Sequence, residues 1–127
     1  MGPVFCLVII FFARYNTVMN DCLFCNIVAD SYKLIWENDV AAAFNDINPK
    51  APVHVLVVPK QHVKNLDALD DERMAGRLVM AVREVIREIG LVEANKILIQ
   101  GIEMDHLHFH IMSDERYRPF GAIKDVA

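Results

Sequence analysis

The chain has 127 residues, 54% of them hydrophobic and 24% charged, and its formal net charge is −4. That length makes a single domain with a core of its own, and the apolar content excludes disorder for the bulk of it. The acidic balance excludes a polyanion-binding surface as the main activity, so nucleic acid is not an expected partner; small anionic ligands stay open, because backbone amides and a few placed side chains can bind them.

Pro3 to Ala13 is an uncharged apolar run. It is shorter than the ~20 residues that cross a bilayer. A secretory signal carries positive charge before its apolar run, whereas here the first charge, Arg14, follows it. Residues 1–18 are therefore read as an apolar extension translated ahead of a natural start at Met19, with the domain covering 19–127. An added edge strand and a weak membrane-contacting anchor are the rival readings. Three cysteines, Cys6, Cys22 and Cys25, are an odd number. Without a secretion signal, that argues against a disulfide framework and for a reducing, cytoplasmic setting with no membrane partner.

A short helix is expected over Asn20–Ala29, with Asp21 near its start. Lys33–Glu37 and Val40–Asn45 read as two strands joined at the turn pair Asn38-Asp39, which makes a hairpin. Pro49 and Pro52 make the next stretch a loop, because proline brings no donor to a ladder. His54–Pro59 is almost wholly apolar and reads as a central strand. Asp70 or Asp71 caps a long helix that Gly90 stops. Its apolar residues Met74, Leu78, Ala81, Val82, Val85 and Ile89 recur at three- and four-residue steps, one stripe facing a sheet. Lys96–Gln100 and His106–Ser113 are the last strands. The order predicts an α+β fold: an antiparallel five-stranded sheet with one long helix and a short N-terminal helix.

His106, His108 and His110 alternate with Leu107, Phe109 and Ile111. Side chains alternate across a strand, so the imidazoles share one face at steps of about 7 Å and the apolar partners enter the core. A half-exposed strand that happens to be histidine-rich is the bland alternative. Two chemical readings remain at this point. Either the imidazoles bind a metal, or one is a nucleophile whose neighbours orient it and donate to a phosphate.

The run His106-Leu107-His108-Phe109-His110-Ile111-Met112 resembles the His-φ-His-φ-His-φ-φ signature of the histidine triad (HIT) superfamily, in its Hint-like, bacterial branch. Phe44-Asn45-Asp46-Ile47-Asn48-Pro49, followed by Ala51 through His62, is similar to that family's second signature. Asp21-Cys22-Leu23-Phe24-Cys25 is similar to its amino-terminal start. The resemblance implies a nucleotide-binding domain, usually a homodimer whose sheets join. It implies hydrolysis or transfer at the α-phosphate of a purine nucleoside phosphoramidate, a dinucleoside polyphosphate or a related nucleotide. His108 would attack phosphorus to give a nucleotidyl-histidine, and water would release the monophosphate. His110 would hydrogen-bond phosphate oxygens, and His54 would support the site. Asp46 would accept from the ribose hydroxyls and Ile47 would pack near the base, with Gln100 also in the substrate-binding set. From the residues alone, Asp46 also reads as a turn-capping aspartate and His54 as a satisfied strand histidine.

Some members of that family hold zinc on a cysteine pair, the histidine after Pro-Lys and the first triad histidine. The matching positions here are Cys22, Cys25, His62 and His106. The resemblance thus implies a structural zinc. The chain also departs from the pattern. Only Gly101-Ile102-Glu103-Met104-Asp105 separates Gln100 from His106, where relatives carry a longer loop with phosphate donors. A lost donor of this kind costs about 10²–10³ in rate. That leaves a second class of function open, a zinc-containing nucleotide-binding or interaction module with little turnover. A third is a hydrolase that uses the three histidines as direct ligands of a catalytic metal.

Overall fold

The computed structural model describes residues 21–99 and 104–119. The apolar extension 1–18, the start at Met19, and Gln100 with residues 101–103 of the short loop lie outside the described residues.

Helix α1 (Leu23–Val28) is followed by a 3₁₀ turn (Ser31–Lys33), β1 (Trp36–Glu37), β2 (Ala41–Asn45), β3 (His54–Pro59), α2 (Glu72–Glu88), β4 (Asn95–Ile99) and β5 (Phe109–Ser113). The five strands form one sheet in the order β1-β2-β3-β5-β4, and every neighbouring pair is antiparallel. The expected α+β architecture is what forms, with β3 central and buried along its length.

The differences lie at element ends. The helix expected over Asn20–Ala29 starts at Leu23, because the Cys22 thiol, not Asp21, caps it by accepting from the Cys25 N–H. The strand expected from Lys33 begins only at Trp36. Asp30 accepts from the Tyr32 N–H and turns Ser31–Lys33 into a 3₁₀ turn, a local side-chain bond that competes with the ladder. At the hairpin, Asn38 Oδ1 accepts from both Val40 and Ala41 N–H at 2.8 Å, so β2 starts at Ala41 and not Val40. Strand β4 starts one residue before Lys96. The last strand does not begin at His106. Pairing with β3 ends at Val57↔Phe109. Beyond it Pro59 has no N–H, and its carbonyl accepts from the His106 ring.

Asp71 caps α2 by accepting from the Arg73 and Met74 N–H groups. Gly90, at φ 76°, ends it in the left-handed region that glycine enters without a steric cost. The apolar stripe of α2 buries Leu78, Ala81, Val82 and Val85 against Ala41, Ala43, Val55, Val57, Leu107, Phe109 and Ile111. The strand residues among these share one face, and Leu107, just before β5, enters the same core. The opposite face carries Phe44, Leu56 and Val58, which pack on Phe24 of α1. A helix of six residues covers only part of that face. The remainder is where the histidines stand.

Candidate functional site

The alternation in the triad holds in space. Leu107, Phe109 and Ile111 enter the α2 core, while His106, His108 and His110 share the other face. All three imidazoles are buried, which removes the half-exposed strand as an account of them. They do not converge on one point. Each is fixed by different partners, and those partners decide what each can do.

His106 belongs to a cluster with Cys22, Cys25 and His62, whose ligand atoms all lie within 4.8 Å of one another. His106 Nδ1 is 3.3 Å from Cys22 Sγ, 3.4 Å from Cys25 Sγ and 3.2 Å from His62 Nδ1. Cys25 Sγ is 3.2 Å from His62 Nδ1. The His106 Nε2–H donates to the Pro59 carbonyl at 2.9 Å, which leaves a lone pair on Nδ1, facing the cluster. Burial and the neighbouring Cys22 push the Cys25 thiol up to about 11. A cation bound among these groups would reverse that balance by stabilising the thiolate. Burial also holds the His106 ring below its ordinary pKa. This set could hold a metal ion.

His108 takes the opposite tautomer. Its Nδ1 lies 2.9 Å from the His106 main-chain carbonyl, which can only accept, so the proton sits on Nδ1. Its Nε2 then carries the lone pair. His110 is set by a longer chain of bonds. The Lys50 N–H can only donate, and it reaches His54 Nδ1 at 3.0 Å. Neutral His54 therefore carries its proton on Nε2, which lies 2.9 Å from His110 Nδ1. His110 accepts there and keeps its own proton on Nε2. Burial, with the Lys50 charge adding to it and Asp46 opposing it, lowers the pKa of His54 and favours its neutral form. Two imidazoles with ring centroids 4.9 Å apart thus present opposite chemistry, a lone pair on one Nε2 and a proton on the other.

His108 and His110 line a cavity of about 200 Å³. Its walls come from Leu23, Phe24 and Ile27 of α1, from Phe44 and Leu56, and from Asp46 and Ile47 in the loop after β2. Asp46 is the turn-capping aspartate read from its residue type, and it also faces the cavity. Its Oδ1 accepts from the Asn48 N–H at 2.8 Å and caps the turn, while its Oδ2 lies 3.4 Å from His54 Nε2 at the cavity. Ile47 is 87% exposed at the rim. Asp46, His54 and His110 also form a three-atom group of metal-ligating type. However, the proton that Lys50 forces onto His54 Nε2 occupies the atom a metal would need. A larger and more open hollow of about 500 Å³ lies on the outer side of α2, between Asn38, Arg73 and Arg77. It carries no histidine or thiol, so it lacks the chemistry of the smaller cavity.

The described residues thus separate the candidates into two neighbouring sites. His54, His108, His110, Asp46 and Ile47 come together at the cavity, while Cys22, Cys25, His62 and His106 come together beside it. Gln100 lies outside the described residues. Sequence reasoning did not find the Lys50 N–H, the Pro59 carbonyl or the His106 carbonyl, because main-chain atoms leave no residue-type signal. It also passed over Phe24, although its place between the two cysteines was visible.

Comparison with known proteins agrees with the geometry. The profile of the HIT domain matches residues 29–117. Protein HitA of Neisseria gonorrhoeae is 36% identical over 103 residues, 74% of this chain and 96% of its own length. A HIT-like protein of Methanocaldococcus jannaschii is 32% identical over 117 residues, covering 83% of this chain and 91% of its own. Among solved structures, a histidine triad protein from Clostridium difficile superposes with a TM-score of 0.68 at 31% identity, over 79% of this chain and 96% of that one. A HIT family hydrolase from Legionella pneumophila does so with a TM-score of 0.68 at 25% identity, over 78% and 98%.

Proposed function

This chain belongs to the HIT family, and on that premise we propose that it is a hydrolase or transferase acting at the α-phosphate of purine nucleoside phosphoramidates or dinucleoside polyphosphates. The observation that carries the reading is the pair of opposite tautomers on one cavity wall. His108 Nε2 attacks the α-phosphorus, and its Nδ1–H, held by the His106 carbonyl, stabilises the charge that develops on the ring. His110 Nε2–H donates to a phosphate oxygen or to the leaving group. The bond from phosphorus to the leaving group breaks as the bond to His108 forms. Water then attacks the nucleotidyl-histidine, the nucleoside monophosphate departs and His108 regains its lone pair. In this reading Asp46 Oδ2 accepts from the ribose and Ile47 covers the base.

We assign zinc to Cys22, Cys25, His62 and His106. Zinc–sulfur bonds of about 2.3 Å and zinc–nitrogen bonds of about 2.0–2.1 Å give tetrahedral edges of roughly 3.3–3.8 Å. The separations of 3.2–3.4 Å in the cluster lie at or about 0.1 Å below the short end of that range. When bound, zinc supplies a closed four-ligand cross-link between α1, the segment after β3 and the triad. A homodimer is supported by β4, an edge strand whose Ile97, Leu98 and Ile99 are exposed. An unpaired apolar edge invites pairing with a second copy. Among the described residues no helix is long and apolar enough to cross a membrane, and we place the protein in the cytoplasm.

The test is AMP release from adenosine 5′-phosphoramidate by the full chain and by His108→Asn. Release by the parent that disappears in the variant is the expected result. No release, with AMP still bound, would refute turnover on this substrate class. It would favour the binding-module reading, which the short acidic stretch from Gly101 to Asp105 supports.

A further inference from the structure

His106 takes part in two sites at once. Its ring faces Cys22, Cys25 and His62, while its main-chain carbonyl holds the Nδ1–H of His108 at 2.9 Å. A third bond, from its Nε2–H to Pro59, ties it to the end of β3. The next residue, Leu107, donates its N–H at 2.7 Å to the carbonyl of Val63, beside His62. Phe24 lies between the two cysteines. Its ring packs edge-on against His106 and His108, with centroids 6.0 and 5.2 Å apart. Phe24, Leu23 and Ile27 are also the α1 wall of the cavity. Every residue of the Cys/His cluster therefore sits on a segment that either walls the cavity or pins the nucleophile.

We propose that metal at the Cys22–Cys25–His62–His106 cluster and nucleotide in the cavity are thermodynamically linked, with His106 as the positioning residue between them. The proposal rests on the nucleotide reading above and adds to it that the metal does more than stabilise the fold. A six-residue helix does not persist alone in water. Without the metal, α1 is tied to the triad by side-chain packing and weak thiol–imidazole bonds. The cavity wall and the His106 carbonyl then loosen together. Linkage is reciprocal: each ligand must raise the affinity of the other by the same factor, and coupled sites usually show about 5- to 150-fold.

The full chain is stripped of metal and titrated with AMP, with and without one equivalent of zinc. Zinc affinity is measured against a competing chelator, with and without saturating AMP. Zinc should tighten AMP by at least about fivefold, and AMP should tighten zinc by the same factor. Equal AMP affinities in the two forms overturn the linkage and leave the nucleotide reading standing. No AMP binding in either form sinks the nucleotide reading and the linkage with it. Should the stripped chain lose its fold by circular dichroism, the cobalt(II)-loaded chain decides, once its circular dichroism is seen to match that of the zinc form. AMP should shift its ligand-field absorption, and bands unchanged at saturating AMP overturn the proposal. The ring ¹⁵N signals of His108 give a readout free of nucleotide. One Nδ1–H tautomer is expected with zinc and a mixture without it, whereas identical spectra overturn the positioning role. His62→Ala removes a ligand that does not line the cavity and should weaken AMP binding. His62→Cys with zinc should restore it, and an alanine variant that lacks zinc yet binds AMP as the parent does overturns the proposal.

Discussion

Replacing His54 with phenylalanine tests the chain of bonds that sets His110. The variant keeps a buried ring on β3 and removes both ring nitrogens. His54 Nδ1 accepts from the Lys50 N–H at 3.0 Å, and its Nε2–H donates to His110 Nδ1 at 2.9 Å. Lys50 lies on an exposed loop, so its amide can turn to water. His110 is buried, so its Nδ1 has little access to water. A buried acceptor that loses its donor costs about 1–3 kcal/mol. The urea midpoint should fall by that free energy divided by the slope m, with the slope itself unchanged because the unfolded surface is the same. The second consequence is chemical. Without a donor at Nδ1, His110 can carry its proton there and withdraw it from the phosphate. General acid–base groups contribute about 10²–10⁴ in rate. The rate of AMP release should therefore drop by at least about tenfold, with little change in KM, because the cavity walls are untouched. His54→Gln carries both an acceptor and a donor, and should recover part of each loss. A phenylalanine variant as stable and as fast as the parent, or a glutamine variant no better than phenylalanine, would refute the relay.

Three further outcomes are expected. Asp46→Asn keeps the turn cap on Asn48 but loses the charge offered to the ribose. It should weaken AMP roughly tenfold or more, the worth of a charge-assisted hydrogen bond, and leave 2′,3′-dideoxy-AMP unaffected; equal losses for both ligands in calorimetry would contradict the ribose role. Asp71→Ala removes the acceptor for the Arg73 and Met74 N–H groups. It should cost about 1 kcal/mol in chemical denaturation without changing AMP binding. The third concerns pH. Burial lowers the folded pKa of His54 below its unfolded value near 6.5. Below that pH the unfolded chain binds the extra proton first, so stability must fall as pH falls. The slope for this one group cannot exceed about 1.4 kcal/mol per pH unit, and it flattens once pH passes below the folded pKa. Urea midpoints measured across this range should show the slope in the parent and lose this share of it in His54→Phe. In metal-free protein His106, also lowered by burial, adds to the same trend.

Much of the fold was legible because its signals are local. The hairpin follows from Asn38-Asp39, the long helix from its apolar stripe and an aspartate cap at 70 or 71, which the structure narrows to Asp71, and the central strand from the run His54–Pro59. Its ends were less legible, because they depend on competition between a ladder and a nearby side chain. Asp30 turning Ser31–Lys33 into a 3₁₀ turn and Cys22 capping α1 with its thiol are both of this kind. The family could be read from the spacing of His106, His108 and His110 with the motifs upstream, and the comparisons agree.

The residue-by-residue alternation of a strand determined that the three triad imidazoles share a face, since that period is a property of any extended chain. Their different tasks were decided in three dimensions. His54 meets His110 because β3 and β5 pair His54 with Met112, two residues further along the same face. A slip of one residue would send His110 to the α2 side and end the relay. His62 and His106 reach Cys25 from 37 and 81 residues away, which no local rule specifies. Each tautomer is dictated by a main-chain group, the Lys50 N–H, the His106 carbonyl or the Pro59 carbonyl. Every residue but proline carries both kinds of group, so only the tertiary structure determines which of them a given imidazole meets.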